Sequence, residues 1–167
     1  TDVLGRLVEV ISGQTLGTFL NARILGPLGM TDTAFSVPEK QQHRIAEAFA
    51  KDPENHTDVS LLDIRRPAIF ESGGGGLAAT TMDYARFCAM LMGNGRLGET
   101  RLFGRKTLEL MTSDHLGSVS GPPDLLPPGH GFGLGFAVRT SAGMAPFPGS
   151  VGNYYWSGAA GTSFWID

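Results

Sequence analysis

The sequence predicts an α+β fold in which helices pack on an antiparallel sheet. Three observations carry this. Apolar residues recur at helical spacing through the front of the chain, and the last third changes to an alternation of period two. The 24 glycines and 10 prolines among 167 residues mark a turn-rich chain with close backbone approaches, not a helical bundle. Helices first and strands last is the order that such two-layer folds show.

Val3, Leu4, Leu7, Val8 and Ile11 predict an opening helix, closed by Gly13 where a left-handed cap would sit. A second helix opens near Thr15, carries Leu16, Phe19, Leu20 and Ile24 on one face, and is ended by Pro27 and Gly29. Residues 41–51 fit helix and strand equally, and residues 53–58 read as a polar loop. Gly73 to Gly76 suits neither a helix nor a central strand; it is either a flexible loop or a close backbone approach. Thr80 and Asp83 resemble a capping box for a helix with Tyr84, Phe87, Cys88 and Leu91 along its apolar stripe, running out at Gly93 and Gly95. A short helix follows at 106–111, then a long loop over 113–129. Phe132, Leu134, Phe136 and Val138 alternate with Gly131, Gly133, Gly135 and Ala137, which predicts one strand with a bulky face and a bare face. Two more strands, at 154–156 and 162–166, are joined through residues 157–161.

Composition excludes several classes. With 13 basic and 16 acidic residues there is no basic stripe, so nucleic acid is not an expected partner. No apolar run reaches the length of a membrane span. The lone Cys88 forms no internal disulfide, leaves the redox compartment open, and is expected to be buried and inert. The localisation stays undetermined. No serine centres a G-x-S-x-G elbow, and the residues three before Lys40, Lys51 and Lys106 are Val37, Ala48 and Phe103, so no Ser-x-x-Lys pair is present. His43, His56, His115 and His130 lack i, i+4 pairing, and no phosphate-binding glycine motif occurs; His115 and His130 are expected to be solvated. The chain starts at Thr1 within a helical pattern and stops after Phe164, Trp165 and Ile166, which reads as an internal segment of a longer protein.

Several blocks together resemble the serine β-lactamase-related hydrolases, the branch of class C β-lactamases and esterases on the same fold. They are residues 72–87 with the glycine run, residues 11–14, residues 24–33, and residues 155–167 around Trp156-Ser157-Gly158. The resemblance covers nearly the whole chain. It implies a partial β-lactamase/penicillin-binding-protein transpeptidase-like fold, with residues 1–167 as the C-terminal-half segment of one such domain. It also implies a nucleophilic serine in Ser-x-x-Lys and a tyrosine in Tyr-x-Asn, both upstream of Thr1. Neither Tyr154 nor Tyr155 has Asn two residues on. The family's Lys-Thr-Gly position, on the strand edging the active site, is held here by Trp156-Ser157-Gly158, similar to the esterase branch.

By that resemblance the backbone N–H of Ala159 is an oxyanion donor, with Gly158 keeping the approach open. Ser157 would reach substrate or a catalytic side chain, and Trp156, Gly158 and Tyr155 would line the substrate site. A preorganised N–H is what acyl transfer needs where the carbonyl oxygen becomes an oxyanion. Trp156 removes the lysine charge that helps hold a lactam carboxylate, which favours an uncharged ester or amide. Tyr154 and Tyr155 fit an acyl pocket or a packed core. No cofactor and no metal are implied; the partners are a small ester or lactam substrate and the upstream segment. The alternatives are a β-lactamase or D-amino-acid peptidase, and a non-catalytic binding module. Unpaired sheet edges would make the isolated segment unstable or aggregated unless a complementary chain covers them.

Overall fold

The computed structural model describes residues 1–119, 121 and 125–167. The part of the expected 113–129 loop at 120 and 122–124 lies outside the described residues. The chain forms two compact units, Thr1–Phe87 and Cys88–Asp167, with the boundary inside one helix.

The first unit opens with α1 (Asp2–Ser12), stopped as expected by Gly13, whose φ of 68° lets its N–H return to the Glu9 carbonyl. Gly5 is the buried residue of α1, and of the apolar side chains that predicted the helix Val3, Leu4, Leu7 and Ile11 stay exposed and Val8 is half-buried. Periodicity located the helix but not its packed face. α2 (Leu16–Leu20) starts at Thr15, whose hydroxyl accepts the Thr18 N–H. Pro27 was expected to end this helix, but the helical path continues through it. A π-helical turn (Asn21–Leu25) leads into α3 (Gly26–Leu28). The reason is geometric: proline offers no N–H and its ring strikes the carbonyl four residues back, and a widened turn relieves both. Gly26 accordingly donates to Asn21 and Met30 to Leu25, each five residues back. Leu16, Leu25, Leu28, Met30 and Phe35 form the core of this unit.

Residues 41–51 are neither one helix nor one strand; 41–44 end a 3₁₀ helix (Glu39–Arg44), and irregular chain then leads to an isolated bridge between Lys51 and Asp58. The polar loop at 53–58 is as read, with Asp52 accepting the N–H groups of Glu54 and Asn55. The four-glycine run is a close approach. A Cβ on Gly73 would lie 2.9 Å from the Thr1 carbonyl oxygen and 3.2 Å from Gly5 Cα, so α1 sits directly on the run. Asp2 binds it from the other side, accepting from Ser72 Oγ at 2.7 Å and from the Gly74 N–H at 3.0 Å.

α4 (Thr81–Met92) crosses the unit boundary. Thr80 caps it through the Asp83 N–H at 3.2 Å, but Asp83 does not complete a capping box. Its buried carboxylate instead accepts the Asp32 N–H and the Thr33 hydroxyl, both at 2.8 Å. Tyr84, expected in the core, is exposed, whereas Met90 and Leu91 are fully buried.

The second unit continues with a two-stranded ribbon, β1 (Arg96–Leu97) and β2 (Thr100–Arg101), that the sequence reading missed, and α5 (Arg105–Met111). Its sheet has the order β3 (His130–Phe132), β4 (Ala137–Arg139), β5 (Tyr154–Ser157), β6 (Ser163–Ile166), antiparallel throughout. The single strand expected over 131–138 is therefore a hairpin. Gly133 donates to the Phe136 carbonyl, and a Cβ on Gly133 would fall 2.2 Å from the Met111 carbonyl oxygen. Gly135, at φ 100°, completes the reversal with a conformation that disfavours any side chain. Of the glycines that looked like a bare strand face, Gly131 stays in β3 while Gly133 and Gly135 form the turn. Phe136, Val138, Tyr154 and Ile166 are buried together around this sheet.

Candidate functional site

The residues singled out by the sequence lie at one end of β5 and in the turn leading to β6. β5 and β6 pair fully, Tyr154 with Ile166 through Ser157 with Ser163. β4 pairs only with Tyr154 and Tyr155. Continued register would set Gly135 opposite Ser157, but the chain turns away at Gly135. Gly158 donates to the Thr162 carbonyl at 2.8 Å on the β6 side. Strand alternation then directs the Ser157 backbone groups to the opposite, uncovered side. Although β5 is an inner strand of the sheet, its last residues border open space on that side.

Gly158, Ala159 and Ala160 leave the strand and form an exposed turn. Ala159 thus lies in the turn itself, and among the described residues its N–H meets no acceptor. Two bonds hold the turn, Gly158 to Thr162 at 2.8 Å and Gly161 to Gly158 at 3.0 Å, with Gly161 at φ 72°. A Cβ on Gly158 would come within 2.6 Å of Thr162 Oγ1. The residue identities at 158 and 161 therefore set the direction in which the Ala159 N–H points.

The strand separates the flanking side chains. Tyr155 and Ser157 share one face, and Trp156 lies on the other with Phe164. Trp156 is half-buried, its indole edge-on to Phe132 with centroids 5.0 Å apart. Tyr155 packs edge-on to His130 at 5.5 Å and to Phe147 at 6.1 Å, and burial raises its phenol above the ordinary value. Ser157 is exposed. The structure thus keeps Trp156, Ser157, Gly158 and Ala159 contiguous at the surface but sends Tyr155 into an aromatic cluster.

That cluster holds what the sequence reading missed. His130, expected in a solvated loop, begins β3 and is half-buried against Phe147 at 5.2 Å. Its Nδ1 faces the carbonyl oxygens of Pro127 and Pro128 at 3.3 and 3.1 Å. Arg139 is almost fully buried, with its guanidinium 5.6 Å from the Phe147 ring centre and bonded to the Phe147 carbonyl. The neighbouring Asn153 is equally buried. The alternation that marked Phe136 and Val138 stops one residue before Arg139, so no periodic signal announced it. Among the described residues no group of three or more His, Cys, Asp or Glu could hold a metal ion. No helix there is long and apolar enough to cross a membrane.

A helical unit and an antiparallel sheet of these sequences define a recognisable class. The Beta-lactamase family model matches residues 1–167, and the chain belongs to that family. It is 37% identical to Protein Rv1367c of Mycobacterium tuberculosis over 177 residues, covering 99% of this chain and 44% of that protein. It is 27% identical to Esterase EstB of Burkholderia gladioli over 183 residues, again covering 99% of this chain and 44% of the relative. Among solved structures, EstCE1, a hydrolase with promiscuous acyltransferase activity, shares the fold with a TM-score of 0.77 at 24% identity, covering 99% of this chain and 46% of its own. The chain thus spans less than half the length of the relatives it matches.

Proposed function

We propose that the intact protein is a serine hydrolase that cleaves uncharged carboxylic esters through an acyl-serine intermediate. Residues 1–167 form the later part of its catalytic domain. The observation that carries this is the β5–β6 turn, which exposes the Ala159 N–H, without an acceptor among the described residues, at the end of β5 that β4 does not pair with. The nucleophilic serine lies on polypeptide outside residues 1–167, with the lysine and tyrosine that move its proton. The serine oxygen attacks the ester carbonyl, and the carbonyl oxygen takes up the negative charge. Ala159 donates one hydrogen bond to that oxygen and the nucleophile's own N–H donates the other. Collapse expels the alcohol, and water then hydrolyses the acyl-enzyme.

Specificity follows from Trp156. A lysine at this position would offer a cation to a substrate carboxylate; an indole offers an apolar edge and no charge. Ser157, exposed beside the turn, is positioned to bond the substrate, and Gly158 keeps the approach clear. Tyr155 acts from beneath, holding the end of the strand through its ring contacts. Its similarity to Esterase EstB supports the ester reading.

The test uses the full-length gene product with p-nitrophenyl butyrate and a chromogenic cephalosporin. Ester turnover is expected to exceed cephalosporin turnover at least tenfold. Ala159→Pro, which deletes the N–H, should lower kcat about 10²- to 10³-fold with little change in KM. Faster cephalosporin turnover would overturn the ester assignment. Loss of neither substrate's turnover in Ala159→Pro would remove the turn from the mechanism. Binding of both substrates without turnover would make the protein a binding module.

A further inference from the structure

The end of β4 buries a cation among neutral groups. Arg139 and Asn153 are each 2% exposed, and the Arg139 N–H donates to the Asn153 carbonyl at 2.9 Å. The guanidinium donates through Nη2 to the Phe147 carbonyl and through Nε to the Ser141 carbonyl at 3.5 Å, with the Phe147 ring centre 5.6 Å away. Among the described residues no carboxylate forms an ion pair with it. The Asp167 carboxylate reaches the covering loop, but it is exposed and accepts the Ser150 N–H at 3.2 Å. Arg139 Nη1 and both polar atoms of the Asn153 amide are buried without a hydrogen-bond partner among the described residues. Two of these atoms converge: the point where a Cβ on Gly149 would sit lies 2.4 Å from Arg139 Nη1 and 2.3 Å from Asn153 Nδ2. Gly149, at φ 149°, has no side chain to fill that spot.

We propose that Arg139 and Asn153 form a binding site for one small monovalent anion of halide size, under the loop at residues 147–152. Charge decides between an anion and a water molecule. Water would accept from both donors and leave the cation uncompensated, and a buried charge is tolerated only when it is paired. Size follows from the donors. Two N–H groups aimed at one point suit a single atom, whereas a tetrahedral oxyanion would leave most of its oxygens without donors. Seating the anion moves the loop outward until each donor stands about 3 Å from it. Gly149 and Gly152, both at positive φ, give the loop that freedom. The anion then ties β4 to the loop carrying Phe147, whose ring packs against Tyr155.

The experiment melts the full-length gene product at constant ionic strength while sodium chloride replaces sodium gluconate. Between about 1 and 200 mM chloride the midpoint is expected to rise by about 3 °C or more and to level off as the site fills. Sodium phosphate in place of chloride should give no such rise. Asn153→Asp supplies a carboxylate beside Arg139, so this variant should melt above the unsubstituted protein without chloride and ignore added chloride. Arg139→Met should also lose the chloride response. Crystals grown with sodium bromide should show an anomalous peak between Arg139 and Asn153. A midpoint indifferent to chloride, with an ordered water at that spot, would overturn the proposal. So would a chloride response unchanged in both variants. An Asn153→Asp protein that fails to fold, or that melts below the unsubstituted one without chloride, would remove the uncompensated charge on which the site rests. A phosphate response larger than the chloride response would overturn the assignment to a single-atom anion.

Discussion

Replacing Asp83 by alanine should destabilise the first unit by about 2–4 kcal/mol, a magnitude set by what the carboxylate holds. One oxygen, Oδ2, accepts both the Asp32 N–H and the Thr33 hydroxyl at 2.8 Å. Asp83 and Thr33 are 6 and 8% exposed, so water has little access to the groups left behind. A hydrogen bond to a charged acceptor contributes about 1.5–3 kcal/mol, and stranding a buried donor adds a penalty of similar size. The rotatable Thr33 hydroxyl and the half-covered Asp32 N–H recover part of this. Asparagine separates charge from shape. Its carbonyl oxygen can occupy the Oδ2 position and accept from both donors, so Asp83→Asn loses only charge assistance and the favourable carboxylate in the first turn of α4, about 1 kcal/mol. Thr33→Val should cost about 1 kcal/mol in the native background and close to nothing beside Asp83→Ala. Urea denaturation followed by circular dichroism reads the four variants against the unsubstituted protein, as midpoint shifts at constant slope. An Asp83→Ala protein within 0.5 kcal/mol of the unsubstituted one, or an asparagine variant as damaged as the alanine variant, would refute the reasoning.

Three further outcomes follow from the same coordinates. Gly73→Ala should lower stability by about 1–3 kcal/mol because its Cβ meets the Thr1 carbonyl and α1 backbone, whereas Gly75→Ala, with nothing within 4 Å, should be neutral in the same melt. The Asp2 carboxyl is held below its ordinary value of 3.8 by the Ser72 hydroxyl and then the Gly74 N–H, and the Asp32 carboxyl by Arg44. Depressed folded values give stability that is present above the unfolded pKa and is lost as pH falls through the folded one; stability should therefore be flat from pH 7 to 5 and fall below about 4, less steeply in Ser72→Ala. Burial pushes the Cys88 thiol up, so its reaction with a disulfide reagent at pH 8 should be slower than that of free cysteine and should accelerate in denaturant.

What the sequence made legible was local. Thr15, Gly13 and Thr80 marked helix ends because each acts through a bond to a backbone group within a few residues. The turn at 157–161 was readable for the same reason. Failures occurred where a distant partner decided the outcome. Asp83 has the spacing of a capping box but finds stronger donors fifty residues away at Asp32 and Thr33. The glycines at 133 and 135 alternate as a strand would, yet Met111 and a positive φ make them a turn. Pro27 carries the usual stop signal, which a π-helical turn overrides. Apolar residues on α1 predicted its helix correctly but not its covered face, since periodicity shows which residues share a side but not whether anything covers it. For the candidate site, the strand and turn over 154–161 were legible, and strand alternation sets Tyr155 beside Ser157 and opposite Trp156. The His130–Phe147–Tyr155 cluster was not, because its members come from separate segments and no motif joins them.

An oxyanion donor helps only if it need not move when charge appears, and this bears on why the turn has its sequence. A backbone N–H in a flexible loop would spend part of the reaction energy on reorientation. Here the N–H lies between two bonded residues, Gly158 fixed to Thr162 and Gly161 fixed to Gly158. The first glycine leaves no room for a side chain against Thr162, and the second takes a left-handed conformation. On the proposed reading both serve the direction of a bond that neither makes. Trp156 extends the same logic to the strand, since its edge-on contact with Phe132 anchors the residue that launches the turn. On the proposed reading the indole has two duties, withholding a charge from the substrate and stiffening the approach to Ala159. Trp156→Leu separates them: without altering charge it removes the ring contact, so a fall in kcat at unchanged ester preference would assign the anchoring duty to Trp156.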